Sequence, residues 1–466
     1  MRPTFVDPDP LQGLRTALAR QAPASAAVLA KALGMSIPTV HRLLANMPGD
    51  ELIVAGRARR TRYGLRRGLR GQLAQWPLYA VDEDGQAAQA GALSLVRPEG
   101  SWIAPQDAAW PVPEECRDGW WPGLPYLLYD MRPQGYMGRA FARLEHRSLG
   151  VSPDPGEWGD DDILHVLLQR GWDASGNLIV GDEAYAQWQA WRRTLAPPLP
   201  DDSIAAAYAG LAEQAVTGGV PGSSAAGEFP KFAARRARAS GAAGDTAHVL
   251  VKFSGSDDSA SVRRWADLLV CEHLALETLS GPAGLDAARS RLLRHGGRTF
   301  LELERFDRHG DFGRSALCTL ESLNDALLGL PAGDWPAVAR RLQVQGWLDA
   351  DDVARVARLW WFGRLIGNTD MHAGNLSFRP TAKGFRLAPA YDMLPMMYAP
   401  LPGGEVPPRA FEPPLPLPAQ RVAWHHAFEA AMAFWRRAAS DDRISAPLRR
   451  QFAQDADHLV AAGRHA

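Results

Sequence analysis

Between residues 351 and 366 the chain reads DDVARVARLWWFGRLI, with Val353, Val356, Leu359, Trp360, Gly363 and Leu365 at helical spacing behind an acidic start. This predicts a helix. A polar turn follows at 367–375, Gly-Asn-Thr-Asp-Met-His-Ala-Gly-Asn. Leu376–Phe378 and Phe385–Pro389 then read as short strands on either side of a turn at Pro380–Gly384. Further upstream, His248–Phe253 (HVLVKF) is an apolar strand and residues 261–279 an apolar helix. Phe300–Asp307 (FLELERFD) alternates as a strand does. Near the start of the chain, Leu11–Arg20 looks helical. Ser25 caps a helix over Ala26–Leu33 that Gly34 ends, and Ser36 caps a second helix reaching about Met47. Leu52–Ala55 and Arg62–Leu65 are expected to pair as a hairpin. The region 75–215 opens with strands at Leu78–Val81 and Ala92–Val96. The Pro-rich run 407–419 reads as an extended connector before a helix over 420–438, where His425 and His426 are packing or surface residues.

At 466 residues the chain can form several domains with sizeable cores. A net charge of −1 gives no whole-chain bias toward nucleic acid or membrane. Cys116, Cys271 and Cys318 stand apart, so neither a metal cage nor a disulfide framework is indicated, and a reducing cytoplasm fits. No stretch approaches the roughly 20 apolar residues that span a bilayer, so no membrane partner is expected.

Charge is uneven at one place. Arg57, Arg59, Arg60, Arg62, Arg66, Arg67 and Arg70 gather at the tip and flank of the expected hairpin, with no acidic residue between 52 and 70. Two short helices joined by a Gly-containing turn, then a cationic hairpin, make a winged helix-turn-helix that suits a phosphate backbone. Thr39, His41, Arg42 and Asn46 are available to face a groove. A protein-docking module with a solvated basic face is the alternative.

Asp370, Asn375 five residues later and Asp392 seventeen residues beyond that have the order of a protein kinase's base and metal-holding residues. A base must stand beside an incoming hydroxyl while two oxygen-bearing side chains hold Mg²⁺ against phosphates. Residues 217–232 (TGGVPGSSAAGEFPKF) form a Gly- and Ser-rich loop of the kind that cradles phosphates. Gly222 and Gly227 have Walker A spacing, but Glu228 replaces the Lys that motif needs, which disfavours a P-loop NTPase. Lys252 on its strand suits α- and β-phosphates, with Glu272 as its expected ion-pair partner and Asp267 the weaker alternative. The backbone at Glu304 to Phe306 stands where a kinase hinge meets adenine.

Taken together, SSAAGEFPK (223–231), HVLVKF (248–253), ERFDR (304–308), GNTDMHAGN (367–375) and YDMLP (391–395) resemble the HipA-type serine/threonine kinases of bacterial toxin–antitoxin systems. The chain looks most like the YjjJ-like branch, whose members carry their own N-terminal winged helix. The resemblance covers roughly residues 75–460. It implies an α+β, two-lobed, protein-kinase-like fold with an N-terminal winged helix-turn-helix domain. The expected divisions are 1–72 (winged helix), 73–215 (N-terminal subdomain), 216–310 (small lobe) and 311–466 (helical large lobe). Carried over by residue, Asp370 would be the base, and Asn375 and Asp392 would hold Mg²⁺. Lys252, partnered by Glu272, would bind ATP phosphates, and Ala226, Gly227, Glu228, Phe229, Pro230 and Lys231 would cover the nucleotide. Glu304, Arg305 and Phe306 would meet adenine, with His372 and Tyr391 also beside the nucleotide. Ser224 would be an autophosphorylation site that ejects the loop. The implied partners are a Ser/Thr protein substrate, a DNA operator reached through Thr39, His41, Arg42, Arg57, Arg59, Arg60 and Arg62, and a HipB-like antitoxin. Two departures stand out: Gly374 where the family often has Lys, and Thr319-Leu320-Glu321-Ser322 in place of a Gln-Glu-Asp string. They keep a second reading open, a DNA-binding regulator whose kinase-like domain only senses nucleotide. A small-molecule kinase on the same fold is a third.

Overall fold

The computed structural model describes residues 9–104, 110–217, 229–238, 245–331 and 333–465. At the front, helices Pro10–Gln21, Ala26–Leu33 and Ile37–Ala45 pack against the hairpin Leu52–Ala55/Arg62–Leu65. Local chemistry fixes the helix ends. Ser25 Oγ accepts from the Val28 N–H, Gly34 adopts a left-handed φ of 66°, and Ser36 Oγ accepts from the Thr39 N–H. The third helix stops at Ala45, short of Met47, because Met47 precedes Pro48 and is steered out of helical backbone. Leu14, Leu18, Leu29, Val40 and Leu44 form a small core with Tyr63 and Leu65 of the hairpin.

Next comes a five-stranded antiparallel sheet in the order Trp120–Trp121, Ser101–Ile103, Ala87–Leu95, Trp76–Val81, Leu178–Val180. The strand expected at Ala92–Val96 is the second half of a longer one. Helices Gly135–Leu149, Asp160–Arg170 and Asp182–Arg193 accompany this sheet.

The small lobe is a four-stranded antiparallel sheet in the order Ser290–His295, Arg298–Glu304, Thr246–Phe253, Lys231–Ala237. Period-two alternation sorts its central strand: Val249, Val251 and Phe253 pack with Phe232 and Phe300 against Ile204, Tyr208 and Ala212 of the helix Ile204–Thr217. The long helix Ala260–Ser280, apolar on nearly every side, packs against the same sheet and the large lobe.

The large lobe holds helices Leu320–Leu327, Trp335–Val344, Ala350–Leu365, Arg421–Ser440 and Ala446–Gly463. Trp335, Trp424 and Trp435 are fully buried there, each worth about 3 kcal/mol or more if truncated. A three-stranded sheet, Cys318–Thr319, Ser377–Thr381 and Gly384–Leu387, carries the segment between Asn375 and Asp392. Its turn is tighter than expected, at Ala382–Lys383, because Pro380 pairs with Phe385 inside the ladder. The expected strand end at Asp307 moves back to Glu304, since the residues beyond it serve a buried ion cluster. No described helix is long and apolar enough to cross a membrane.

Candidate active site

Lys252 sits one residue before the end of the central small-lobe strand and is 5 % exposed. Its Nζ donates to both Glu272 carboxylate oxygens at 2.8 Å and to the Asp392 carboxylate across the cleft. Asp267, the alternative partner, instead accepts from Ser445 at 2.8 and 2.5 Å and serves the packing of the last helix. Burial pulls the Lys252 pKa down, but Asp392 and Glu272 more than offset it and hold it above its ordinary value. Burial lifts Glu272 to about 7 despite Lys252. Burial also opposes charge on Asp392, yet Lys252 and Lys231 bring it down to about 2. Lys231 stands directly opposite Lys252 in the strand register, so two ammonium groups share one face of the sheet. Like charges so placed repel unless an anion lies between them.

Phe229 fixes the end of the loop. Its ring lies edge-on to Trp265 at 4.5 Å, with Lys252 Nζ 5.7 Å from its centre. The Pro230 carbonyl accepts from the Phe253 N–H. Ser224, Ala226, Gly227 and Glu228 lie outside the described residues, as does the Gly222–Gly227 spacing.

In the large lobe one side chain holds the site together. Asn368 Oδ1 accepts from the Asp370 N–H at 3.0 Å, and its Nδ2 donates to the Asp392 carbonyl at 3.1 Å. A single buried amide therefore ties the backbones of the two aspartates. Asn375 Nδ2 donates to the Asp370 carbonyl at 2.8 Å, which leaves its Oδ1 without a donor among the described residues. Asp392 has a left-handed φ of 55°, a conformation that Asp tolerates better than most residues. Gly363 lets the turn lie close to its helix: a Cβ there would meet Met371 Sδ at 2.4 Å. Asp370 is exposed in a cleft of about 350 Å³ that also includes Asn368, Met371 and His372.

The Tyr391 hydroxyl donates to the Gly374 carbonyl and meets Ser377 Oγ, while its ring faces Phe306 at 6.0 Å. Burial raises the Tyr391 pKa, so the hydroxyl stays a donor. Arg379 donates to the Phe306 carbonyl at 2.8 Å. The Glu304 N–H is used by Arg289, and its carboxylate by Arg236 and Arg238. Arg305 is half-buried and paired with Asp307 at 2.8 Å. The side chains of Glu304 and Arg305 are therefore structural. His372 is exposed, and its Nδ1 accepts from the Gly374 N–H at 3.2 Å. A Cβ at Gly374 would come within 2.9 Å of that nitrogen and 3.2 Å of Glu321 Oε2, so a larger residue would displace His372.

At the front domain, Arg42, Arg57, Arg59 and Arg60 are exposed, and Arg60 is 3.8 Å from Asp118. Arg62 donates to the carbonyls of Arg59 and Thr61. Thr39 is half-buried, its hydroxyl shared with Ser36, and His41 reaches toward Tyr63. Two members of the cationic cluster are ties instead. Arg67 forms a bidentate pair with Asp161 at 2.7 and 2.6 Å, and Arg70 bonds Asp162 and the Leu149 carbonyl. The acids that claim them lie far off in sequence, so the stretch 52–70 looked more available than it is.

Asn368 and Arg379 escaped the sequence reading as functional residues. Asn368 stood in the quoted turn, two positions before Asp370, and that spacing was its signal. Arg379 had none.

Comparisons with known proteins match the middle and C-terminal parts of the chain. A family model described as YjjJ-like toxin, middle domain, matches residues 72–189, and one described as HipA-like C-terminal domain matches 223–458. Toxin YjjJ of Escherichia coli (strain K12) is 38% identical over 435 residues, 93% of this chain and 94% of that protein. A chain of the Shewanella oneidensis MR-1 complex of HipA, HipB and operator DNA superposes with a TM-score of 0.50 at 15% identity. That match covers 83% of this chain and 96% of the other, and speaks to fold alone.

Proposed function

Since the chain belongs to the YjjJ-like branch of the HipA-like toxin family, we propose that it is an ATP- and Mg²⁺-dependent kinase acting on Ser or Thr of a bacterial protein in the cytoplasm, with growth arrest as the result. One observation carries this reading: Lys252, paired with Glu272, reaches across the cleft to Asp392, whose backbone shares an amide with that of Asp370.

The residues fit both implied groups. Asp392 and Asn375 offer side-chain oxygens to a divalent cation, and among the described residues the Asn375 Oδ1 accepts no hydrogen bond. Among the described residues no three His, Cys, Asp or Glu converge. That suits Mg²⁺, which takes one or two protein oxygens and completes its shell with phosphate and water. Asp392 and Asn375 would hold it. Lys252 and Lys231 would take phosphate oxygens, and the loop ending at Phe229–Pro230 would close over them. Bound Mg²⁺-ATP would supply the phosphoryl group and neutralise its charge. Asp370 orients the substrate hydroxyl and accepts its proton, and Asn368 and Asn375 keep that carboxylate's backbone in place. Positioning and fixed charges then do most of the catalysis.

The test is transfer from labelled ATP. Asp370→Asn is expected to abolish labelling while nucleotide affinity stays nearly intact; unchanged labelling refutes the assignment. Autophosphorylation at Ser224 belongs to the same proposal and is read by mapping the label. The exposed Arg42, Arg57, Arg59 and Arg60 favour an added role in operator binding, and the partners in the Shewanella complex suggest a HipB-like antitoxin. Sequence-selective duplex binding with no labelling at all would favour the DNA-binding regulator instead.

A further inference from the structure

The cleft beside Asp370 has a second wall that phosphoryl transfer does not use. Trp360 and Arg364, one turn apart on the helix Ala350–Leu365, line it together with Asn368, Asp370, Met371 and His372. Arg364 is exposed, and among the described residues its guanidinium makes no hydrogen bond or ion pair. It lies instead over the rings of Trp360 at 5.7 Å and Trp361 at 5.5 Å. Trp361 is buried, and Trp360 is braced by the fully buried Trp335 at 5.7 Å. An arginine resting on two fixed indoles has much of its side-chain entropy already removed, and its fork stays open to a carboxylate.

We infer that Arg364 is a specificity-determining residue that takes the carboxylate of an acidic side chain on the protein substrate, close in sequence to the acceptor Ser or Thr; this rests on the kinase reading of the same cleft. The size of the space sets the spacing. Arg364 and Asp370 line one cleft of about 350 Å³, so an acid held by Arg364 lies near the acceptor along a chain that spans about 3.3–3.6 Å per extended residue. The acidic residue therefore stands one or two positions from the acceptor. The wall also selects the class of occupant. A single guanidinium resting on two indoles suits a single acid group. It opposes a run of backbone phosphates, which needs several cations in a row.

The test uses the full chain and pairs of acceptor-serine peptides that differ only by Glu or Gln one or two positions from the serine. Wild type is expected to show a KM about fivefold to tenfold lower for one Glu peptide than for its Gln partner. Arg364→Gln is expected to erase that difference in KM, and Arg364→Lys to restore part of it. Equal KM values for every Glu/Gln pair in wild type, or a preference that survives Arg364→Gln, overturns the inference. Anisotropy of the same peptides, labelled with fluorescein, separates this from the kinase reading. If no peptide is phosphorylated, binding that favours Glu and depends on Arg364 still supports the subsite; binding indifferent to Arg364 overturns it. Displacement of the peptide by an oligoribonucleotide in an Arg364-dependent way also overturns the assigned occupant.

Discussion

Replacing Glu272 by Leu is expected to destabilise the two-lobed, kinase-like body by about 3 kcal/mol, whereas replacing Lys252 by Met and Glu272 by Leu together should cost far less. Glu272 is fully buried and receives two 2.8 Å bonds from a lysine that is 5 % exposed. Removing one member of such a pair leaves an uncompensated buried charge, worth roughly 3–5 kcal/mol, while removing both can be nearly neutral. The lower end applies here because Asp392 still holds Lys252 in the single variant. Burial also raises Glu272 from 4.5 to about 7, so the comparison belongs at pH 8, where the carboxylate is ionised. The sign follows from proton uptake. With the folded pKa above the unfolded one, the folded state binds the extra proton between those values, and its stability falls as pH rises through that window. The front helices and the two lobes have separate hydrophobic cores, so the relevant quantity is the thermal midpoint of the two-lobed body's transition, followed by calorimetry. At about 2–4 °C per kcal/mol for a body of this size, the single variant should lose roughly 6–12 °C. Equal losses in the single and double variants, or no loss in either, would refute the reasoning.

Asp307 accepts from Arg305, Arg308 and the Gly176 N–H; Asp307→Asn should therefore cost about 3–5 kcal/mol, and an unmoved urea midpoint would sink this account of the cluster. Burial first, then Arg305 and Arg308, hold His248 at about 4 against an ordinary 6.5. The unfolded chain therefore takes up that proton first, and stability present above pH 6.5 is lost as pH falls toward 4, by at most about 3 kcal/mol. His248→Gln should flatten that part of the pH–stability profile, and an unchanged slope would exclude His248 as its source. At the front domain, Arg57→Ala, Arg59→Ala and Arg60→Ala together should weaken duplex binding and lower the salt slope by roughly 0.9 for each DNA phosphate that is no longer neutralised. Arg67→Ala should leave that slope unchanged and speed proteolysis between the front and middle domains; the reverse pattern would contradict these assignments.

Features fixed by neighbours in sequence were legible in advance. Ser25, Gly34 and Ser36 announce their caps, and HVLVKF shows Lys252 on an apolar strand because each feature depends on residues a few positions away. Glu272 was readable as the lysine's partner because the helix after the strand offered few carboxylates. The bridge made by Asn368 was not, since a side-chain amide joining residues 370 and 392 has no periodicity. Nor was the capture of Arg67 and Arg70 by Asp161 and Asp162, more than ninety residues away. A boundary at 215 cuts through the helix Ile204–Thr217, in which Tyr208 donates to Glu302 at 2.6 Å and Glu213 pairs with Arg298, so the helix packs with the small lobe.

That long-range wiring bears on why a middle domain accompanies the two lobes. Arg308 donates to the carbonyls of Ala174 and Gly176, and Arg314 to that of Trp172, so the chain just past Phe306 is held by the middle domain's own loop. A second link enters lower down. Asp130 accepts from the Thr319 N–H at 2.7 Å and from its hydroxyl at 2.8 Å, and burial raises its pKa against those bonds. Thr319 pairs with Ser377, Ser377 meets the Tyr391 hydroxyl, and Tyr391 precedes Asp392. A continuous path of part-buried bonds and strand pairing thus runs from the middle domain to the residue before Asp392. The Thr319-Leu320-Glu321-Ser322 segment, a departure from the family pattern, is where that path crosses, with Thr319 also capping the helix Leu320–Leu327. The altered string therefore has a mechanical role of its own: through Asp130 and Thr319 it docks the middle domain onto the three-stranded sheet that leads to Asp392.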